Sequence, residues 1–364
     1  MRLHVVKAAE GDGLLLESGD ANPHRVLIDG GPRGCWAADM KPHLENVLGK
    51  DGRVDALLVS HVDNDHIIAP LDMLADREKD RADGKQGWPA IGELWHNSFE
   101  QTLDTAGSPI SKQVGAVMAR AATAGVASAS VNWAFYGIKE GARLRRGALR
   151  EGIALNAAFG GGLISPDRLE NPSVVLGTMK LTVIGPTTSN LDALKKKWDA
   201  WAAEAAKKQM PTDLANIDKS VPNLSSIVII AEEGGRRILL TGDARGDHIE
   251  QGLDQANLRT NGRIHVDVLK LQHHGSARNV ERSFFDAITA DTYVVSANGR
   301  YDNPDLSTLM WIVEAAREQK RVITLVATYV TPSLTSLIAS HPPAPDWYSV
   351  RLPGDEDHAI IIDF

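Results

Sequence analysis

The chain has 364 residues, 43% of them apolar and 24% charged, and its 39 basic and 47 acidic side chains leave a net charge of −8. This composition excludes disordered, collagen-like and disulfide-framework classes. It also argues against a protein coated in basic charge for duplex DNA, while leaving room for a local basic patch. At roughly 100–200 residues per domain the length allows one large or two ordinary domains. Cys35 is the only cysteine, so neither an internal disulfide nor a thiolate metal cage can form, and a reducing compartment is expected. The first residues carry Arg2, Lys7, Glu10 and Asp12 where a signal peptide would be apolar, and no run approaches the ~20 residues that cross a bilayer. A cytoplasmic chain with no membrane partner is the expectation.

In chain order, Leu3–Val6, Gly13–Glu17 and Arg25–Asp29 read as strands broken by Gly, Asp or Pro. Met40–Leu48 reads as a helix, Val54–Ser60 as a buried strand and Ile67–Ala75 as a further helix. The middle, about 98–222, holds an Ala-rich segment (Val114–Ala127), a basic one (Lys139–Arg150) and a helix of mixed charge (Leu191–Lys208). One strand-like stretch, Met179–Gly185, interrupts it, and we read the whole as a mostly helical insertion. The strand–helix rhythm then returns: strands at Ser226–Ala231, Arg237–Thr241, Val266–Leu271 and Thr292–Ser296, helices near His248–Leu258 and Val280–Ile288. A helix (Asp305–Gln319), a strand (Val322–Ala327), a Pro-broken loop and a last strand (Ala359–Phe364) complete the chain. Two alternating blocks predict an α/β fold with sheets covered by helices, α/β or αββα in layering, residues 1–364 forming one domain.

The sharpest motif is Ser60-His61-Val62-Asp63-Asn64-Asp65-His66, where a buried strand ends. His61, Asp63, Asp65 and His66 put two imidazoles and two carboxylates within six residues, the N/O donor set of zinc, manganese or iron sites. A polar turn capping the next helix is the plainer reading. It explains one Asp, but not two His plus two Asp. Thr241-Gly242-Asp243 and Gln272-His273-His274-Gly275-Ser276 also follow strands, and strand C-termini are where open α/β layers place their sites. Each is weak alone, and the conjunction is strong.

With Val26-Leu27-Ile28-Asp29-Gly30-Gly31 added, these motifs resemble the metallo-β-lactamase-fold hydrolases over most of the chain. The flavour is similar to the metallo-β-lactamase domain of competence (DNA-uptake) proteins and their stand-alone bacterial relatives. The resemblance implies a four-layer αββα sandwich with two divalent metal ions, zinc or manganese, at one edge. It implies His61 and Asp63 on one ion, Asp65, His66 and His274 on the other, and Asp243 bridging both. It further implies Asp29 as an orienting carboxylate and His273 as a contact to substrate phosphate or a support for the ligands. Two departures weaken the first site. The turn before the TGD strand, Val221-Pro222-Asn223-Leu224, offers only Asn223 where many relatives have a histidine, and Asp302-Asn303-Pro304 replaces a later His-Pro pair. A single-metal enzyme therefore stays open.

The implied chemistry is hydrolysis by a metal-bound hydroxide, most naturally of a phosphoester or phosphodiester, nucleic acid included, with Asp65 and His273 as the catalytic side chains. Lys139, Arg143, Arg145, Arg146, Arg150, Lys195, Lys196, Lys197, Lys207 and Lys208 could attract such a backbone, although solvated helix faces account for them as well. Trp198 and Trp201 read as packing anchors, and His96 as either a pocket residue or a hydrogen-bonded structural histidine. Two alternatives stand beside this reading: hydrolysis of a lactone or β-lactam bond, and a non-catalytic metal-binding component of a bacterial assembly. Protein partners are left unknown.

Overall fold

A computed structural model describes residues 1–97, 129–196 and 225–364, with backbone alone over 129–138. Its frame is a pair of mixed sheets. The first has the order β15-β1-β2-β3-β4-β5-β6. Its strands are β1 (Arg2–Val6), β2 (Gly13–Glu17), β3 (Arg25–Asp29), β4 (Arg53–Val59), β5 (Ala90–His96), β6 (Ala154–Leu155) and β15 (Ala359–Asp363). The second has the order β14-β13-β12-β11-β10-β9-β8-β7. Its strands are β7 (Ser173–Leu176), β8 (Met179–Gly185), β9 (Val228–Glu233), β10 (Arg236–Leu240), β11 (Ile264–Lys270), β12 (Ile288–Val295), β13 (Ile323–Ala327) and β14 (Tyr348–Arg351). Each sheet begins as an antiparallel meander and continues through parallel crossovers.

Strand periodicity decides which side chains meet, because successive residues point to opposite faces. Leu58 and Ile229 join the core between the sheets, whereas their neighbours Leu57 and Ile230 face outward. The inner core also takes Leu3, Leu14, Leu240 and Val268. Outside the first sheet, Leu44, Ile67 and Leu144 come from α1 (Lys41–Leu48), α2 (Asn64–Ala82) and α3 (Ala129–Arg150). Outside the second, Ile249, Phe285, Ile312 and Leu337 come from α4 (Gly246–Gln255), α5 (Arg282–Ala287), α6 (Leu306–Glu318) and α7 (Pro332–Ser340). Each buried side chain of this kind contributes about 1.5–3 kcal/mol. The expected four-layer αββα sandwich is therefore the observed one.

Several elements differ from expectation. Helix α2 starts at Asn64, three residues before the expected Ile67, and runs to Ala82, so Asp65 and His66 lie on its first turn. Asp63 occupies the N-cap position yet makes no side-chain cap bond, which removes capping as the explanation of that carboxylate. Pro332 does not break the C-terminal segment. It stands in the first turn of α7, where its missing N–H costs nothing, and the Thr331 hydroxyl accepts from Leu334 N at 3.2 Å. Within 98–222, β6, β7 and β8 complete the two sheet edges beside α3 and a helix over 188–196. Val114–Ala127, Lys197, Trp198, Trp201, Lys207, Lys208 and Asn223 lie outside the described residues.

Candidate metal centre

The C-terminal ends of β3, β4, β10, β11 and β12 converge on one edge of the sandwich. Backbone bonds tie the surrounding loops: Ile227 N to Ser60 O at 3.0 Å joins the two sheets, His273 N to Gly242 O at 3.1 Å links loops of the second, and Asp12 N to Asp65 O at 3.3 Å links segments on the first. Asp29, His273 and His274 hold left-handed backbone (φ 53°, 47° and 55°), a conformation uncommon for non-glycine residues that concentrates at functional sites. Gly11 is forced by proximity, since a Cβ there would stand 1.8 Å from the Asp65 carbonyl oxygen.

The motifs singled out in the sequence meet here. Asp243 Oδ1 faces His66 Nε2 at 3.2 Å and His274 Nε2 at 3.5 Å, while its Oδ2 faces His61 Nε2 and His273 Nε2, each at 3.7 Å. Asp65 Oδ2 is 3.4 Å from His274 Nε2, and Asp63 Oδ2 is 3.7 Å from His61 Nε2. Most of these separations are long for a charge-assisted hydrogen bond. They are close to the roughly 3.4 Å that separates two ligands about 2.1 Å from a shared tetrahedral ion. His61 Nε2, His66 Nε2, His274 Nε2 and Asp243 Oδ1 are buried without a hydrogen-bond partner, an arrangement that is costly unless a cation is held between them. His61, His66 and Asp243 make one group able to hold an ion, and Asp65, His66 and His274 another. The donor set fits.

The far sides of the same rings are pinned. Asp29 Oδ2 pairs with His66 Nδ1 at 2.8 Å and accepts from Ser60 Oγ at 2.7 Å; its Oδ1 accepts from Ser60 N at 2.7 Å. His61 Nδ1 meets Ser60 Oγ at 3.0 Å, His274 Nδ1 the Ser296 carbonyl at 3.0 Å, and His273 Nδ1 the Asn279 Oδ1 at 2.9 Å. Each partner holds its ring with Nε2 toward the centre, as outer hydrogen bonds do for metal-ligating histidines. Burial alone would depress the His274 imidazole, but Asp243 and Asp12 outweigh it and carry it up to about 10. His66 rises in the same way: its burial is outweighed by Asp243, Asp29 and Asp65. Burial would raise Asp243, yet His66, His274 and His273 hold it well below the usual carboxylate range. The field at this edge favours positive charge.

His96 is buried, with Nδ1 on the Val59 carbonyl at 3.1 Å, and burial presses it down to about 4. Sequence reasoning passed over Asp12, Lys270, Ser296 and Asn279. Asp12 stands in a Gly-Asp-Gly turn and Lys270 follows the apolar pair Val268-Leu269 at the end of its strand, the two signals that could have marked them.

No protein-family model matches the chain. Over 94 residues it is 34% identical to ComE operon protein 3 of Bacillus subtilis (strain 168), a match covering 25% of this chain and 12% of that protein's length. Among solved structures it is similar to YhfI of Bacillus subtilis, a metallo-β-lactamase fold protein, at 10% identity and TM-score 0.40 with both chains fully covered. It is also similar to the Zn²⁺-bound PqqB of Methylobacterium extorquens, at 12% identity and TM-score 0.45, again with both chains fully covered. A diphosphatase of the PhnP family is similar at 10% identity and TM-score 0.41, over 100% of this chain and 98% of that one. Among the described residues, no helix is long and apolar enough to cross a membrane.

Proposed function

We propose that this chain is a metal-dependent hydrolase that takes two divalent cations, zinc or manganese, and acts on phosphoesters or phosphodiesters in the cytoplasm. The observation that carries the reading is the ring of buried, partnerless Nε2 and carboxylate atoms around Asp243, whose outer atoms are already pinned. In this reading His61 and Asp63 would hold one cation, Asp65, His66 and His274 the other, and Asp243 would serve both. When bound, such cations supply Lewis acidity, lowering the pKa of water and polarising a phosphoryl oxygen, and a two-ion arrangement suits in-line displacement at phosphorus.

The chain's own groups do the rest. Burial would raise Asp65, but His66 and His274 outweigh it and keep the carboxylate ionised. Its side chain is 26% exposed, so its oxygens can orient the attacking water and accept its proton. The His273 side chain is equally exposed, and with Nδ1 on Asn279 it presents Nε2 to a developing phosphoryl charge. Of the basic cluster on α3, Arg143 pairs with Glu140 and Arg150 with Glu78, so nucleic acid is one phosphodiester substrate among several.

The test is metal analysis of the purified protein together with hydrolysis of bis-p-nitrophenyl phosphate in Zn²⁺ and Mn²⁺. Bound metal and turnover lost in a His61→Ala/Asp65→Ala double variant are expected. Absence of metal, or activity that survives the double substitution, would overturn the reading. Turnover of nitrocefin or a lactone with none of the phosphodiester would move the chemistry to carbonyl substrates. Stoichiometric metal with no turnover of any of them would make the centre structural.

A further inference from the structure

Beneath the centre lies a charged pair that the ligand set does not require. Lys270 (0% exposed) ends β11 in the second sheet, and Asp12 (1%) sits in the turn between β1 and β2 in the first. Lys270 Nζ is 2.7 Å from Asp12 Oδ2 and donates to the Leu271 carbonyl at 2.8 Å. The other carboxylate oxygen, Asp12 Oδ1, lies 3.3 Å from His274 Nδ1 and has no hydrogen bond, because that ring nitrogen is aligned on Ser296 O. Asp12 also falls into two groups able to hold an ion, one with Asp243 and His274 and one with Asp29 and His66. Its placement would therefore let it ligate, and Lys270 occupies its second oxygen.

A buried ion pair is a weak source of stability, so its place behind His274 needs another account. Charge supplies one. Asp12, Asp29 and Asp243, all buried, and the quarter-exposed Asp63 and Asp65 face the centre or its orienting atoms, and Lys270 is the ammonium buried beside them among the described residues. Five negative charges less one leave four, the charge of two divalent cations. Asp12, Asp29, Ser60, Thr241 and Lys270 also line one small internal cavity, so the supports of His66 and His274 share a wall.

We propose that Lys270 is a positioning residue of the metal centre. It claims Asp12 Oδ2, keeps that carboxylate behind His274 as a negative charge that strengthens the ring as a donor rather than as a ligand, and sets the pocket's charge to that of two divalent cations. The inference rests on the metal-centre reading above. Its test is Co²⁺ titration of the wild type, Lys270→Met and the Asp12→Asn/Lys270→Met double variant. Stepwise dissociation constants and the visible Co²⁺ band are recorded, with thermal unfolding of the metal-free proteins alongside. The binding step lost in His274→Ala identifies the affected ion.

In the double variant both charges leave together, so a Tm within a few degrees of wild type is expected. The affinity of the His274-side ion should fall about 10- to 100-fold, as for other outer partners of metal ligands. In Lys270→Met the released Asp12 should join the ligands and weaken the band as coordination number rises. Should that variant not fold, the double variant decides. Wild-type Co²⁺ affinities and band in the double variant would reduce the pair to a tie between sheets, and so would a parallel collapse of Tm and affinity. A wild type that takes up no Co²⁺ would overturn the metal-centre reading itself, and this inference with it.

Discussion

Asp29→Asn is the substitution that isolates the outer shell from the ligands. Asparagine has the shape of aspartate and tolerates left-handed backbone, so the φ of 53° at this position adds no strain. What changes is chemistry. Asp29 Oδ1 accepts from Ser60 N, and Oδ2 meets both Ser60 Oγ and His66 Nδ1. With Oδ1 kept on Ser60 N, the new NH₂ faces the nitrogen of His66 that the carboxylate held protonated. The imidazole must then lose its orienting bond or move its proton to Nε2, which removes it as a ligand. A hydrogen bond to a charged group is worth about 1.5–3 kcal/mol. At about 1.4 kcal/mol per tenfold, that is a weakening of roughly 10- to 100-fold in metal affinity. Equilibrium titration with Zn²⁺ or Mn²⁺ reads it directly, with circular dichroism confirming the fold. An Asp29→Asn protein that binds within twofold of wild type would refute the reasoning.

His273→Gln should lower kcat on a phosphodiester while leaving metal stoichiometry intact; loss of an ion by mass spectrometry would make His273 a ligand instead. Glu17 is held down at about 2 because bonds from His4 and Arg25 outweigh its burial, against an ordinary value of 4.5. A depressed carboxyl contributes above its unfolded pKa and loses that contribution as pH falls through its folded one. About 3 kcal/mol should therefore disappear between roughly pH 4.5 and 2, and urea unfolding of Glu17→Gln should lack that decline. Gly11→Ala drives a Cβ into the Asp65 carbonyl, so unfolding should show a loss of about 1–3 kcal/mol, with weakened metal uptake. Arg77→Ala takes away one of the two guanidinium partners of buried Glu151, at 3.0 Å, and leaves Arg81 Nε at 3.2 Å, so it should cost about 1.5–3 kcal/mol in denaturant unfolding.

Much of the cluster around Asp243 was legible because its residues arrive in short motifs at strand ends. His61, Asp63, Asp65 and His66 sit within six residues, and a helix beginning at Asn64 turns Asp65 and His66 inward together. The supports were not legible, because nothing local distinguishes them. Asp12 reads as a charge in an N-terminal turn and acquires meaning only when a chain position 258 residues later, Lys270, is folded against it. Ser296 acts through its backbone carbonyl, which no sequence pattern can single out. Strand β7 carries an exposed valine, Val175, at the sheet edge, so its pairing with β8 defines it more than its pattern does. In the same way Pro332 reads as a breaker until Thr331 is seen capping the helix it begins.

The most direct measurement is equilibrium dialysis of the wild-type chain against Zn²⁺ or Mn²⁺, with metal per chain counted by mass spectrometry beside a His66→Ala/Asp243→Ala variant. Two ions per wild-type chain and less than one in the variant are expected. A wild type that retains no more metal than the variant would contradict the metal-centre reading.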